Sequence, residues 1–182
     1  MLTVRTLLAD QRLELRLLVE GHPGALDEEV RWVHITELPD PLPYVRAREL
    51  VLTNGLWLDR TEPARFVASV VRAGGAGIVF GLRRQTPRTP PELVAACAEA
   101  DLPLVEISIG VPFTALTRAA AANHAEQRQT ALLGMVRRGD ALAAAISYGA
   151  GASGVLEVLR HDHDLPLAVV DRMGRLLAST GI

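Results

Sequence analysis

The chain has 182 residues, 49% hydrophobic and 22% charged, which is the profile of a globular protein with a substantial core and excludes a disordered tail. Its 19 basic and 21 acidic side chains give a net charge of -2, so these residues carry no electrostatic footprint for nucleic acid. A single cysteine, Cys97, excludes an internal disulfide, and the charges scattered through MLTVRTLLADQRLEL exclude a signal peptide or membrane span there; a cytoplasmic location is expected.

Thr3 is placed to cap a short helix with Val4, Leu7 and Leu8 on one face. Leu13, Leu15, Leu17 and Val19 then alternate with Glu14, Arg16 and Glu20, the period of a strand with one wet side near a sheet edge. His22, Pro23 and Gly24 form a loop. The stretch Val30 to Leu58, VRWVHITELPDPLPYVRARELVLTNGLWL, is the centre around which the other elements are arranged. It holds two apolar runs, Val30 to Ile35 and Leu50 to Leu52. Each ends in polar and turn-forming residues: Thr36, Glu37, Pro39 and Asp40 after the first, Thr53, Asn54 and Gly55 after the second. The three prolines between positions 39 and 43 impose a stiff loop. A helical turn is expected over Val45 to Glu49.

Thr61 to Ala73 reads as a helix capped by Thr61, with Pro63 in its first turn and Gly74 and Gly75 at its end. Ile78 to Phe80 is a short strand closed by Gly81, Pro90 to Ala100 a helix, and Leu104 to Ile107 a strand. Strands alternating with helices predict an α/β fold, a mostly parallel sheet flanked by helices. Its strand ends after Ile35, Leu52, Phe80 and Val105 should lie along one side, where open α/β sheets bind ligands.

From Pro112 to Arg138 the sequence is alanine-rich and free of further proline, which predicts a long connecting helix or a dimer helix with an irregular heptad. Ser153 is expected to cap a helix to about His161. Leu167 to Val170 and Arg175 to Ser179 read as a hairpin turned by Asp171 to Gly174, the start of a second, truncated α+β region. An isolated hairpin is marginal in water, so a fragment of a larger protein is expected.

Candidate chemistry clusters after the strands. Glu37 and Asp40 are close enough in sequence to act as paired carboxylates, against the alternative that Asp40 merely organises the proline turn. Thr53, Asn54 and Gly55 offer a hydroxyl, an amide and a close backbone approach, or an ordinary turn. Arg83 and Arg84 are placed to pair with an anion, or are solvated surface. Thr36 and Glu106 complete the candidate ligand set. His34 reads as structural, Cys97 as core, and His161 to Asp164 as a solvated helix end with the wrong spacing for a metal. The glycines at 74, 75 and 77 precede a strand, whereas a dinucleotide fingerprint must come after one. No catalytic residue, metal or cofactor is assigned.

Four segments carry a resemblance: WVHITELPDP from Trp32, ELVLTNGLWL from Glu49, AGIVFGLRR from Ala76 and LPLVEISIGVPF from Leu102. Together they resemble the N-terminal domain of the purine catabolism regulator (PucR-type) family, over roughly Met1 to Ala122. The resemblance implies a sensing domain at 1–122, a linker or dimerisation helix at 123–141 and the beginning of a middle domain at 142–182. It also implies a homodimeric bacterial transcription factor that senses a small metabolite and contacts DNA through a C-terminal helix-turn-helix outside this chain. The alternatives are a small-molecule enzyme using Glu37, Asp40 or Glu106, and a structural docking module. No membrane partner is expected.

Overall fold

The threonine cap expected at position 3 is present in the computed structural model, which describes residues 1–149, 151–160 and 166–180. Thr3 and Thr6 form a reciprocal capping box at the start of α1, Val4–Ala9. A 3-10 turn, Gln11–Leu13, and a left-handed Glu14 (φ 46°) delay the first strand, so β1 is Leu15–Val19 and the alternation from Leu13 is only partly strand. β2 is Trp32–Ile35, β3 Glu49–Thr53, β4 Gly77–Gly81 and β5 Leu104–Ile107.

The sheet order is β1-β5-β4-β3-β2, with β2 to β5 parallel and β1 antiparallel at the edge. Alternation along the central strands sorts side chains between two faces. Leu50, Leu52, Val79 and Val105 pack with Val4 and Leu7 of α1 and with Leu116 and Ala120 of α4 (Phe113–Ser147). Val51, Ile78, Phe80 and Leu104 pack with α2 (Pro63–Arg72) and α3 (Pro91–Glu99) on the other face. Both faces are therefore covered, which is why β3, β4 and β5 read as continuous apolar runs.

Local differences from the expected elements have local causes. Glu62, not Thr61, is the N-cap of α2, because the residue before Pro63 is pushed into the extended region (φ -70°, ψ 141°). No helical turn forms over 45–49: Val45 and Arg46 are irregular, Ala47 and Arg48 make a turn, and Arg48 takes a left-handed conformation (φ 65°) immediately before β3. The chain divides into two units, Met1–Ala125 and Glu126–Ile182, and the division falls within α4. α4 runs to Ser147, well past Arg138. Gly139 stands inside it, a cost of about 1 kcal/mol against alanine that the alanine-rich flanks tolerate.

In the second unit Ser153 lies inside α5, Gly151–Arg160, and does not cap it. The hairpin is present as β6, Leu167–Val170, and β7, Leu176–Thr180, closed by Asp171, whose carboxylate accepts from the Met173 and Arg175 amides (2.8 and 2.9 Å). Leu156 of α5 and Ala178 of β7 are buried. The sequence His161 to Asp164 lies outside the described residues.

Candidate functional site

The exits of β2, β3 and β4 meet at one end of the sheet, and the residues just beyond them hold one another. The Thr36 amide donates to the Leu52 carbonyl (3.0 Å), extending the β2–β3 ladder, and Thr36 Oγ1 accepts from the Leu38 amide (3.2 Å). The half-buried Glu37 carboxylate then accepts from three donors of the β3 exit. These are the Thr53 hydroxyl (3.0 Å), the Asn54 amide through a short bond, and the Leu56 amide (2.8 Å).

Thr53 is fully buried, and its hydroxyl is saturated. It donates to Glu37 and accepts from the Gly55 amide (3.1 Å) and the Trp57 indole N–H (2.9 Å), which uses its one proton and both lone pairs. Trp57 in turn stacks on Phe66 of α2, with ring centroids 3.9 Å apart. The Asn54 side-chain amide donates to the Gly81 carbonyl (2.9 Å), and the Asn54 carbonyl accepts from Arg83 Nε (3.2 Å). Arg83 Nη2 also donates to Thr86 Oγ1 (3.3 Å).

Two glycines are required here. Gly55 has φ 75°, and a Cβ on it would meet the Phe80 ring at 2.7 Å. A Cβ on Gly81 would run into the Asn54 side-chain amide and meet the Phe113 ring at 2.7 Å.

Asp40 and Glu106 belong to other networks. Asp40 accepts from the Ser69 hydroxyl of α2 (2.8 Å) and the Leu42 amide (3.2 Å), bonds that hold its carboxyl below the usual range. It organises the proline loop, and Glu37 and Asp40 serve separate partner sets. Glu106, 7% exposed, faces its cross-strand partner Arg16. Its Oε1 accepts from Arg16 Nε (3.0 Å) and Nη2 (2.7 Å), and its Oε2 from the Thr89 hydroxyl (2.6 Å). Burial pushes the Glu106 carboxyl up, but the Thr89 and Arg16 bonds outweigh it, so the group sits below its ordinary value. Among the candidate residues the structure thus brings together Thr36, Glu37, Thr53, Asn54, Gly55 and Arg83, and sets Asp40 and Glu106 apart as clamps.

Thr53 and Glu37 have the connectivity of a nucleophile and its base, yet the hydroxyl is buried with no lone pair free. Strand order adds a second constraint. β2, β3, β4 and β5 succeed one another without reversal, and α2 and α3 cover the same face. The crevice that opens where strand order reverses in doubly wound sheets is therefore not formed, and a ligand at this end would rest on the rim. Sequence patterns did not show Trp57, Ser69 or Thr89, because each joins the networks through a contact made only in three dimensions.

Two clefts lie elsewhere on the first unit. One, of about 300 Å³, is formed by Asp10, Arg12 and Leu13 against Ala115, Arg118, Ala119 and Ala122 of α4. The other, of about 180 Å³, lies at the amino ends of β4 and β5, between His22, Glu28, Gly75, Asp101 and Pro103. Among the described residues there is no cluster of three or more His, Cys, Asp or Glu able to hold a metal ion, and no helix is long and apolar enough to cross a membrane.

The Transcriptional activator PmfR of Paenarthrobacter nicotinovorans is 32% identical over 123 residues, which cover 66% of this chain and 26% of that protein. The chain thus spans about a quarter of the length of that relative. No solved structure matches the chain. The sequence profile of the Purine catabolism regulatory protein-like family matches residues 6–123, the whole of the five-stranded sheet and the first turns of α4, and the chain belongs to that family.

Proposed function

We propose that this chain is the ligand-sensing and self-associating part of a bacterial transcriptional regulator of catabolic genes, and is not an enzyme. DNA contact would be made by a helix-turn-helix elsewhere in the full-length cytoplasmic protein. Membership of the purine catabolism regulatory family carries this reading, and the similarity to a transcriptional activator supports it. The proposed division is a sensing domain at 1–122, a connecting helix at 123–141 and the start of a middle domain at 142–182.

The proposed ligand seat is the rim built on Glu37, Thr53 and Asn54. Arg83 donates two of the five N–H bonds of its guanidinium to Asn54 and Thr86, which leaves donors for a carboxylate or ring carbonyl of a metabolite. Leu38 and Leu56, 44% and 53% exposed, offer apolar contact beside it. The buried, saturated Thr53 hydroxyl favours binding over turnover.

Self-association is supported by α4. Leu132, Val136, Gly139, Ala143 and Ile146 recur at alternating steps of four and three, the spacing of a coiled-coil seam made irregular by the small residues at 139 and 143. Leu132, Val136 and Ile146 are 62%, 59% and 66% exposed. Sedimentation equilibrium tests this: a homodimer is expected, dissociated by a charge at Val136 (V136E). A wild-type chain that stays monomeric at high concentration would overturn it.

A further inference from the structure

The cleft between the 3-10 turn Gln11–Leu13 and the start of α4 has the volume of a small-molecule site, about 300 Å³. Its floor is apolar. Leu13 is 3% exposed, and Ala115, Ala119 and Ala122 repeat along one face of α4, where their short side chains keep the space open. Its rim is charged, with Asp10 and Arg12 from the turn and Arg118 from the helix.

These charges are not equivalent. Arg12 is held by Asp10 through Nε (2.9 Å) and Nη2 (2.7 Å), and Asp10 also accepts from the Arg12 amide (3.1 Å), so this pair neutralises itself while capping the turn. Arg118 has no such counter-ion among the described residues. Two arginines against one aspartate leave the rim with a single net positive charge.

We infer that this cleft binds a small organic monoanion, with its carboxylate on the Arg118 guanidinium and its apolar body on the Leu13 and alanine floor. The site is distinct from the rim at the strand exits and shares no residue with it. Arg118 rather than Arg12 anchors the ligand, because the Arg12 donors aimed at Asp10 are already spent. Selectivity comes from the same geometry: a monoanion with a flat or short apolar body fits, a neutral molecule of the same shape forfeits the ion pair, and a dianion finds only the Arg118 guanidinium for its two charges. The consequence for regulation rests on the sensing role proposed above. The helix that walls this cleft continues past Ala125 to Ser147, so an occupant bears directly on α4, whereas the strand-exit residues are bonded to one another.

The test uses benzoate as probe, with benzyl alcohol as its neutral counterpart, monitored by backbone amide shifts of the whole chain. Benzoate should give saturable shifts centred on Leu13, Ala115, Ala119 and Ala122, and benzyl alcohol should not. R118A should weaken benzoate by about tenfold or more, with partial recovery in R118K, as expected for an ion pair with a guanidinium. D10N should tighten it by about two- to fivefold, because a like charge is removed while the turn cap is kept. Arg118 is exposed, so R118A is expected to fold, and unshifted amides outside the cleft check that it does. Absence of saturable shifts, equal binding of benzyl alcohol, or affinity unchanged in R118A would each overturn the site. Benzoate binding in the cleft with no change in self-association would leave the site standing and count against the regulatory reading alone.

Discussion

Glu37 and Thr53, sixteen residues apart on the exits of neighbouring parallel strands, are joined carboxylate to hydroxyl at 3.0 Å, and the bond ties the β2 exit to the β3 exit. The same carboxylate collects the Asn54 and Leu56 amides, so one side chain organises the whole turn between β3 and the segment that carries Trp57.

E37A strips the acceptor from three donors, one of them on a fully buried residue. A loss of about 2–4 kcal/mol in urea unfolding is expected, since an unmet buried donor costs about 1–3 kcal/mol and part of this site can rehydrate. E37Q retains one oxygen but sets its amide NH2 against the Asn54 amide or against the Thr53 and Leu56 donors, so it should recover only part of that loss. A change below measurement error in E37A would show that the network is decorative.

Glu106 should make stability depend on pH in the acid range. Its folded pKa lies below the ordinary 4.5, so the Arg16 and Thr89 clamp contributes fully above that value. As pH falls from about 5, the unfolded chain takes up the proton first, and the contribution disappears as pH passes the folded pKa. Unfolding free energy should therefore drop more steeply below pH 5 in the wild type than in E106Q. E106Q itself should lose about 1–3 kcal/mol at neutral pH, because the Arg16 and Thr89 donors lose a charged acceptor. Parallel acid profiles for the two proteins would contradict the assignment.

G81A should destabilise by about 1–3 kcal/mol, through overpacking of the added methyl against the Phe113 ring and the Asn54 amide. In an N54A background the added cost of G81A should shrink, since one of the two obstructing groups is gone. Strict additivity in that double-mutant cycle would count against the close approach.

Cys97 is fully buried on α3, and burial pushes its thiol up to about 12. At mildly alkaline pH the native protein should resist a thiol-disulfide reagent and react only on unfolding, at a rate set by opening of the core. Fast labelling of the folded chain would contradict the burial of this face of α3.

The layers of the fold were legible in the sequence because alternation and turn residues are local. Thr3 announces α1, Gly74 ends α2, and the apolar runs at Leu50 to Leu52, Ile78 to Phe80 and Leu104 to Ile107 mark strands buried on both faces. The strand order was not, since nothing local tells β1 to lie antiparallel beside β5, ninety residues away in the Arg16 to Glu106 contact. The same limit governed the candidate site. Polar residues at the strand exits were visible, but whether Glu37 meets a ligand or Thr53 depends on how two loops fold over each other. Asp40 was readable as a turn former because its Leu42 bond is local, whereas its Ser69 bond was not. The cleft at Arg118 left no mark either, as Arg12 and Arg118 are brought together only by the packing of α4 on the first turns.

The sensing role is tested most directly by calorimetric titration of the chain with allantoin and with a sugar diacid, and by mass analysis of each mixture afterwards. Saturable heat from at least one compound is predicted, weakened about tenfold in R83A through loss of a charged donor, with the compound recovered unchanged. No heat from any compound would contradict the proposed seat at Glu37, Asn54 and Arg83, and conversion of a compound to product would make the chain an enzyme.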